Sequence, residues 1–330
     1  MVTNGSGPTR GRNGSTSPSG LSAGHLVAGR YQIVRHIGSG GAGDVFEALD
    51  TSLGGSVALK ALRSSLAGSV IHLERFRREI QNARKVTHPN VCRIFDLGVE
   101  RSAGGECFFL TMELLPGHTL AERMKSTTPF TTTEALPIAT QIAEGLQAAH
   151  DAGIVHRDLK PGNIILVDVT RAANQAGGPR AVVTDFGIAL SSDQDDMRLT
   201  QSGELVGTPE YMAPEQLDPG PAQPTTDIYA LGLILYEMLT ARRPFDAAET
   251  ALASVLMRRR EPPHPLGQLL PAIDPAWETT IMRCIERDPA RRFPRAADIA
   301  AALRRGTPPP SSPGGGVLGR LRRRLGGRPR

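Results

Sequence analysis

The apolar positions of this chain change their spacing along its length, and each change marks a different kind of structure. Over residues 31–37 apolar and polar residues alternate, which puts Tyr31, Ile33 and Ile37 on one face of a predicted strand. Residues 45–49 and 57–60 repeat strand character on either side of Gly54-Gly55, a turn signal. The spacing then lengthens. Phe76, Ile80 and Ala83 form an apolar stripe at helical period, with arginines opposite and Glu79 at the polar edge of the stripe. Two short apolar runs, 91–97 and 107–115, predict further strands. Beyond them helical spacing takes over. Thr133-Glu134 marks the start of a helix with Ile138, Ile142, Leu146 and Ala149 on its buried face, and Gly153 marks its end. Residues 227–240 are apolar nearly all round, as in a helix at the middle of a core; 277–286 and 296–303 predict two more helices. A small mixed part precedes a larger helical part, and no internal repeat is visible.

The flanks have no such pattern. Residues 1–28 are mostly Gly, Ser, Thr, Asn and Pro, and 306–330 are rich in Pro and Gly and then Arg, so both are expected to be disordered, leaving 29–305 as the folded domain. Charge follows this division. The net charge is +5, and seven arginines from Arg305 onward meet no acid, so 5 − 7 leaves −2 for the rest. Basicity confined to a tail gives no expectation of nucleic-acid binding. Three scattered cysteines, no long apolar run and no apolar signal core lead to the expectation of a soluble cytoplasmic protein.

The densest candidate chemistry is His156-Arg157-Asp158-Leu159-Lys160-Pro161-Gly162-Asn163, a loop between the end of the 133–153 helix and the apolar run Ile164–Val167. It gathers a carboxylate, an amine and an amide between two buried elements, where charge is costly to keep; a local ion pair on a turn is the bland alternative. Earlier, Gly38-Ser39-Gly40-Gly41-Ala42-Gly43 admits several readings. A dinucleotide fingerprint needs a helix directly after the glycines, and here a strand follows; a P-loop needs Gly-Lys-Ser/Thr, and Gly43-Asp44-Val45 lacks it. A glycine-tipped hairpin over nucleotide phosphates and a plain flexible turn remain.

Taken in order, the glycine hairpin, Val57-Ala58-Leu59-Lys60, the 156–163 loop, Asp185-Phe186-Gly187 and Ala213-Pro214-Glu215 resemble the protein kinase superfamily over residues 31–304. The resemblance implies an α+β bilobal fold. A small antiparallel β-sheet lobe with one helix (29–115) precedes a larger, mainly helical lobe (116–305). It implies ATP and Mg²⁺, with Mn²⁺ as an alternative. The ATP-binding residues would be Ile37, Gly38, Ser39, Gly40, Gly41, Ala42, Gly43, Val45, Ala58, Lys60, Glu113, Leu115 and Ile165. Val45, Ala58 and Ile165 would sandwich the adenine, the backbone of Glu113 and Leu115 would bind its edge, and Met112 would stand behind it. Lys60, held by Glu79, would grip the α- and β-phosphates. Asn163 and Asp185 would hold the metal, Asp158 would take the hydroxyl proton, and Lys160 would face the transferred phosphoryl group. Glu215 and Arg292 would form a structural ion pair.

Asp158-Leu159-Lys160-Pro161 and Gly207-Thr208-Pro209-Glu210-Tyr211 look like a serine/threonine kinase, and the wording resembles bacterial Hanks-type kinases. Protein substrates with Ser or Thr acceptors follow from this, as does autophosphorylation. Thr200 and Ser202 match a paired phosphosite, and phosphate on Thr200 would pair with Arg157. Thr119 and Gly162 stand where arginine-directed kinases often carry acids. A pseudokinase-type nucleotide-binding module is the alternative; the presence of Lys60, Glu79, Asp158, Asn163 and Asp185 argues against it. Residues 171–180 form a polar insertion between two strands. The arginine-rich end is expected either to be solvated or to make weak contact with an anionic membrane surface.

Overall fold

Alternating β-formers at the start of the domain build a sheet because each strand has one face to bury. A computed structural model describes residues 20–40, 43–62, 70–102, 105–126, 128–168, 178–186, 209–245 and 251–305. In it β1 (Leu26–Val27), β2 (Tyr31–Gly40), β3 (Gly43–Asp50), β4 (Gly55–Leu62), β5 (Ile94–Ser102) and β6 (Gly105–Met112) form an antiparallel six-stranded sheet in the order β1-β2-β3-β4-β6-β5. Helix α1 (Val70–Ala83) lies between β4 and β5 in the chain and buries Ile80 and Ala83 with Leu62, Ile94, Phe108 and Leu110. This is the small lobe that the spacing predicts.

Two details differ from that reading. Order begins earlier than residue 29: Leu21 and Val27 are buried with Tyr31 and Ile33, so the segment ahead of β2 belongs to the fold. Ile37 does not share a face with Tyr31 and Ile33. The β2–β3 register slips between Ile33 and Arg35 and again between His36 and Gly38, and Ile37, at the second slip, is 44% exposed.

The larger lobe is helical, apart from a small sheet of β7 (Gly117–Thr119), β8 (Ile164–Val167) and β9 (Arg180–Val183). Its helices are α2 (Leu120–Ser126), α3 (Thr132–Asp151), α4 (Pro224–Thr240), α5 (Ala251–Arg260), α6 (Leu266–Leu269), α7 (Pro275–Cys284) and α8 (Ala296–Arg305). The N-cap of α3 is Thr131 rather than Thr133. Its hydroxyl accepts from the Glu134 N–H at 3.2 Å, and Glu134 accepts the Thr131 N–H at 2.9 Å, a reciprocal capping box. Gly153, just past the end, has φ +75°, which explains the glycine there. Helix α4 is buried from Thr226 to Tyr236 and forms the axis of a single core shared with α3, α7 and α8. Among the described residues no helix is long and apolar enough to cross a membrane.

The lobes are joined by the 88–92 loop as well as by the chain after Met112. Asn90 donates to the Ala181 carbonyl at 2.7 Å and to Gln141 at 2.9 Å, and Val183 N–H returns to the Asn90 carbonyl at 2.9 Å. Gly145 lets this loop reach α3, since a Cβ there would lie 2.7 Å from the Asn90 oxygen.

Candidate active site

The glycine segment is the tip of the β2–β3 hairpin, which removes the dinucleotide reading: no helix follows the glycines. Gly40 pairs with Gly43, and Gly43 has φ +143° with the position of a Cβ only 1.9 Å from the Ala61 oxygen, so no side chain fits. Ser39 donates to Asp44 at 2.7 Å beside Gly38 and Gly40; Gly41 and Ala42 lie outside the described residues.

Ala58 and Met112 face one another across β4 and β6, and both are buried with Cys92, Val167 and Val182. Val45, Leu114, Leu115 and Ile165 pack against this cluster from both lobes. The structure therefore assembles an apolar slot from six separate stretches of sequence, and it includes the residues that the resemblance assigns to adenine. At its back the Glu113 N–H donates to the Arg93 carbonyl at 2.9 Å. The Glu113 carboxylate is held by Arg180 at 2.8 Å, and Arg180 also donates to the Pro89 carbonyl at 2.9 Å. Burial in this apolar setting pushes the Cys92 thiol far up from its ordinary value, so it is an inert packing group.

The charged groups converge below that slot. Lys60 is buried, and its ammonium lies 2.8 Å from Asp185. Asp158 accepts from the Lys160 ammonium at 2.7 Å, and the Asn163 amide donates to the Asp158 carbonyl at 2.8 Å. Asn163 in turn joins the Asp185 segment through its own carbonyl, which accepts from Thr184 N–H at 2.8 Å. The residues expected to bind metal and to carry out catalysis are thus tied to one another by short bonds.

One expected pair is not made. Lys60 is paired with Asp185 and not with Glu79, while Glu79 sits 3.4 Å from Arg157. The Arg157 guanidinium is otherwise incompletely used: among the described residues its buried Nε has no hydrogen-bond partner.

What holds the 156–163 loop was not apparent from sequence. Asp227, in α4, accepts the backbone N–H groups of His156 at 2.8 Å and Arg157 at 2.9 Å, and its carboxylate also meets His150 at 2.7 Å. Arg157 has φ +70°, a strained geometry that these bonds fix. The available signal was an acid inside an otherwise apolar helix, a costly placement unless it is fully bonded. From the far side Gln216 donates to the Arg157 carbonyl at 2.9 Å. Below it, Arg292 is buried and grips Glu215 with both guanidinium nitrogens, at 2.7 and 2.8 Å. Thr119 caps α2 through a reciprocal bond with Glu122 and is committed to structure. Gly187, Thr200, Ser202 and Thr208 lie outside the described residues.

Oxygen ligands for a divalent cation are present: the Asp185 carboxylate and the amide oxygen of Asn163, whose nitrogen is occupied by Asp158. Among the described residues no three His, Cys, Asp or Glu side chains gather into a metal-holding cluster. Such a sparse, hard-oxygen set suits a cation that brings phosphate and water as its other ligands.

Comparison with known proteins agrees with this geometry. Residues 31–301 match the model of the protein kinase domain. The chain is 36% identical to a probable serine/threonine-protein kinase of Corynebacterium efficiens, covering 84% of this chain and 41% of that protein. It is 37% identical to serine/threonine-protein kinase PknA of Mycobacterium tuberculosis, covering 87% and 64% respectively, and 36% identical to PrkC of Bacillus subtilis, covering 85% and 41%. The chain therefore spans roughly two-fifths to two-thirds of the length of these relatives. Among solved structures, the Mycobacterium tuberculosis PknI kinase domain superposes with a TM-score of 0.67 at 26% identity, covering 87% of this chain and 100% of that one. With the protein kinase domain matched over residues 31–301 and the two-lobed fold to go with it, the chain belongs to the protein kinase family.

Proposed function

We propose that the protein is an ATP-dependent serine/threonine protein kinase acting on protein hydroxyls and on itself, in the reducing cytoplasm that its three free cysteines suit. The observation that carries this is the linked set Lys60–Asp185 and Lys160–Asp158–Asn163 beneath an apolar slot. Asn163 and Asp185 would hold Mg²⁺, with Mn²⁺ also suited to these donors; the cation supplies charge neutralisation on the phosphates. Asp158 takes the proton of the acceptor hydroxyl as its oxygen bonds to the γ-phosphorus and the bond to the ADP oxygen breaks. Lys160, two residues on, supplies positive charge to the moving phosphoryl group.

Regulation follows from Arg157. Phosphate on Thr200, with Ser202 second, would bring nearly two negative charges and offer acceptors to the buried Arg157 Nε. Arg157 would then release Glu79, which could close on Lys60. The test is γ-phosphate transfer from radiolabelled ATP with Mg²⁺, scored by mass spectrometry on the chain itself and on a generic acceptor protein. Asp158→Asn is expected to keep ATP binding and to lose about 10²–10⁴ in transfer rate. Full activity in that variant removes Asp158 from its role; absence of transfer by the unaltered chain favours a nucleotide-binding pseudokinase. The arginine-rich end is proposed to be solvated, and co-sedimentation with anionic vesicles, with and without residues 306–330, tests this.

A further inference from the structure

A cavity of about 380 Å³ opens beside the catalytic loop and is distinct from the adenine slot. Lys160, Pro161 and Gly162 form one wall, so whatever fills it lies next to the group that receives the hydroxyl proton. Its volume is at the lower end of the range for ligand pockets, ample for one large side chain. The larger apolar residues of the lining are Met124, Phe130 and Met238.

The polar lining includes Lys125 and Thr128, and its two carboxylates are already committed. Glu210 and Glu237 both line the cavity and would by themselves make it a site for arginine or lysine. Arg243 prevents this. Its guanidinium lies 2.8 Å from Glu210 and 3.7 Å from Glu237, and the Tyr211 hydroxyl donates to the other Glu237 oxygen at 2.6 Å. Burial, with Glu237 alongside, holds the Tyr211 hydroxyl far above its usual value, so it stays a neutral donor. Lys160 is likewise occupied by Asp158. An incoming arginine would have to displace Arg243 to gain a carboxylate, whereas an apolar side chain meets Met124, Phe130 and Met238 without breaking any of these bonds.

Resting on the kinase reading, we propose that this cavity is a subsite for a Leu, Met or Phe side chain flanking the acceptor Ser or Thr, and that Arg243 sets this preference by neutralising Glu210 and Glu237. The structure makes the reverse preference accessible by one substitution: Arg243→Gln releases both carboxylates to the incoming chain.

The experiment measures kcat/KM with Mg²⁺-ATP on peptides carrying one Ser or Thr, in which each flanking position in turn holds Leu, Met, Phe, Arg or Gly. At one position the unaltered chain is expected to favour the apolar residues over Arg and Gly by about tenfold or more. Arg243→Gln should raise the use of Arg at that same position. Ala121→Phe, which fills the cavity from α2, should narrow the gap between Leu and Gly there, and thermal unfolding monitors folding of both variants. Indifference to residue type at every flanking position, a preference for Arg in the unaltered chain, or selectivity that neither variant moves overturns the proposal while leaving the kinase reading intact. Transfer to no acceptor, the chain itself included, overturns both.

Discussion

Removing the Arg292 side chain tests how the larger lobe is held together. The guanidinium is fully buried in its side chain and makes five bonds: two to Glu215, and one each to the carbonyls of Glu286 (2.7 Å), Thr225 (2.9 Å) and Arg287 (3.2 Å). It also lies 4.6 Å from the centre of the Tyr229 ring. Arg292→Ala therefore leaves a carboxylate and three carbonyls without their donor and opens a cavity beneath α4. Breaking a buried ion pair from one side costs about 3–5 kcal/mol. At about 2–4 °C per kcal/mol for a domain of this size, the unfolding midpoint should fall by roughly 6–20 °C. Glu215→Ala should cost less, because the Glu215 side chain is 24% exposed and Arg292 would keep its three carbonyls. Thermal unfolding followed by circular dichroism on both single variants and the double variant gives the coupling between them. A loss of less than about 1 kcal/mol in Arg292→Ala would show that water or neighbours replace these bonds freely, and would refute the assignment of the pair to stability.

Other perturbations read different parts of the fold. Thr131→Ala, which removes the α3 cap, should cost about 1 kcal/mol near neutral pH, measured by urea unfolding. The Thr131 N–H and hydroxyl hold the Glu134 carboxyl below its ordinary 4.5, so this contribution is present above that pH and is lost as pH falls through the depressed value; the gap between variant and parent should shrink there. Gly145→Ala places a Cβ 2.7 Å from the Asn90 oxygen and should cost about 1–3 kcal/mol by overpacking, seen as a lower unfolding midpoint. Asp227→Asn leaves one acceptor oxygen where two serve the His156 and Arg157 N–H groups, a loss of about 1.5–3 kcal/mol; steady-state kinetics should show kcat falling by more than the change in ATP affinity.

The parts of the site that were legible in the sequence are those in which one stretch of chain carries both the geometry and the chemistry. The 156–163 loop is one: the Gly153 turn ends α3, Ile164–Val167 enters a sheet, and the residues between can only be a short loop, so Asp158, Lys160 and Asn163 must lie together. The Glu215–Arg292 pair was also legible, but through the family resemblance, since no local pattern links residues so far apart in the chain. Ile37 failed for a physical reason. Alternation assumes an unbroken ladder, and a bulge of one residue reverses every face beyond it. Lys60 and Glu79 failed for another. Sequence identifies which groups carry charge, yet it does not say which of Lys60, Arg157, Glu79 and Asp185 will pair. The structure closes Lys60 on Asp185 and Arg157 on Glu79, where the resemblance gave Lys60 to Glu79, Asp185 to the metal and Arg157 to a phosphate. Which pairs close depends on where the elements carrying them meet, and that is not written in local pattern. Composition and spacing could therefore name these four residues and could not order them.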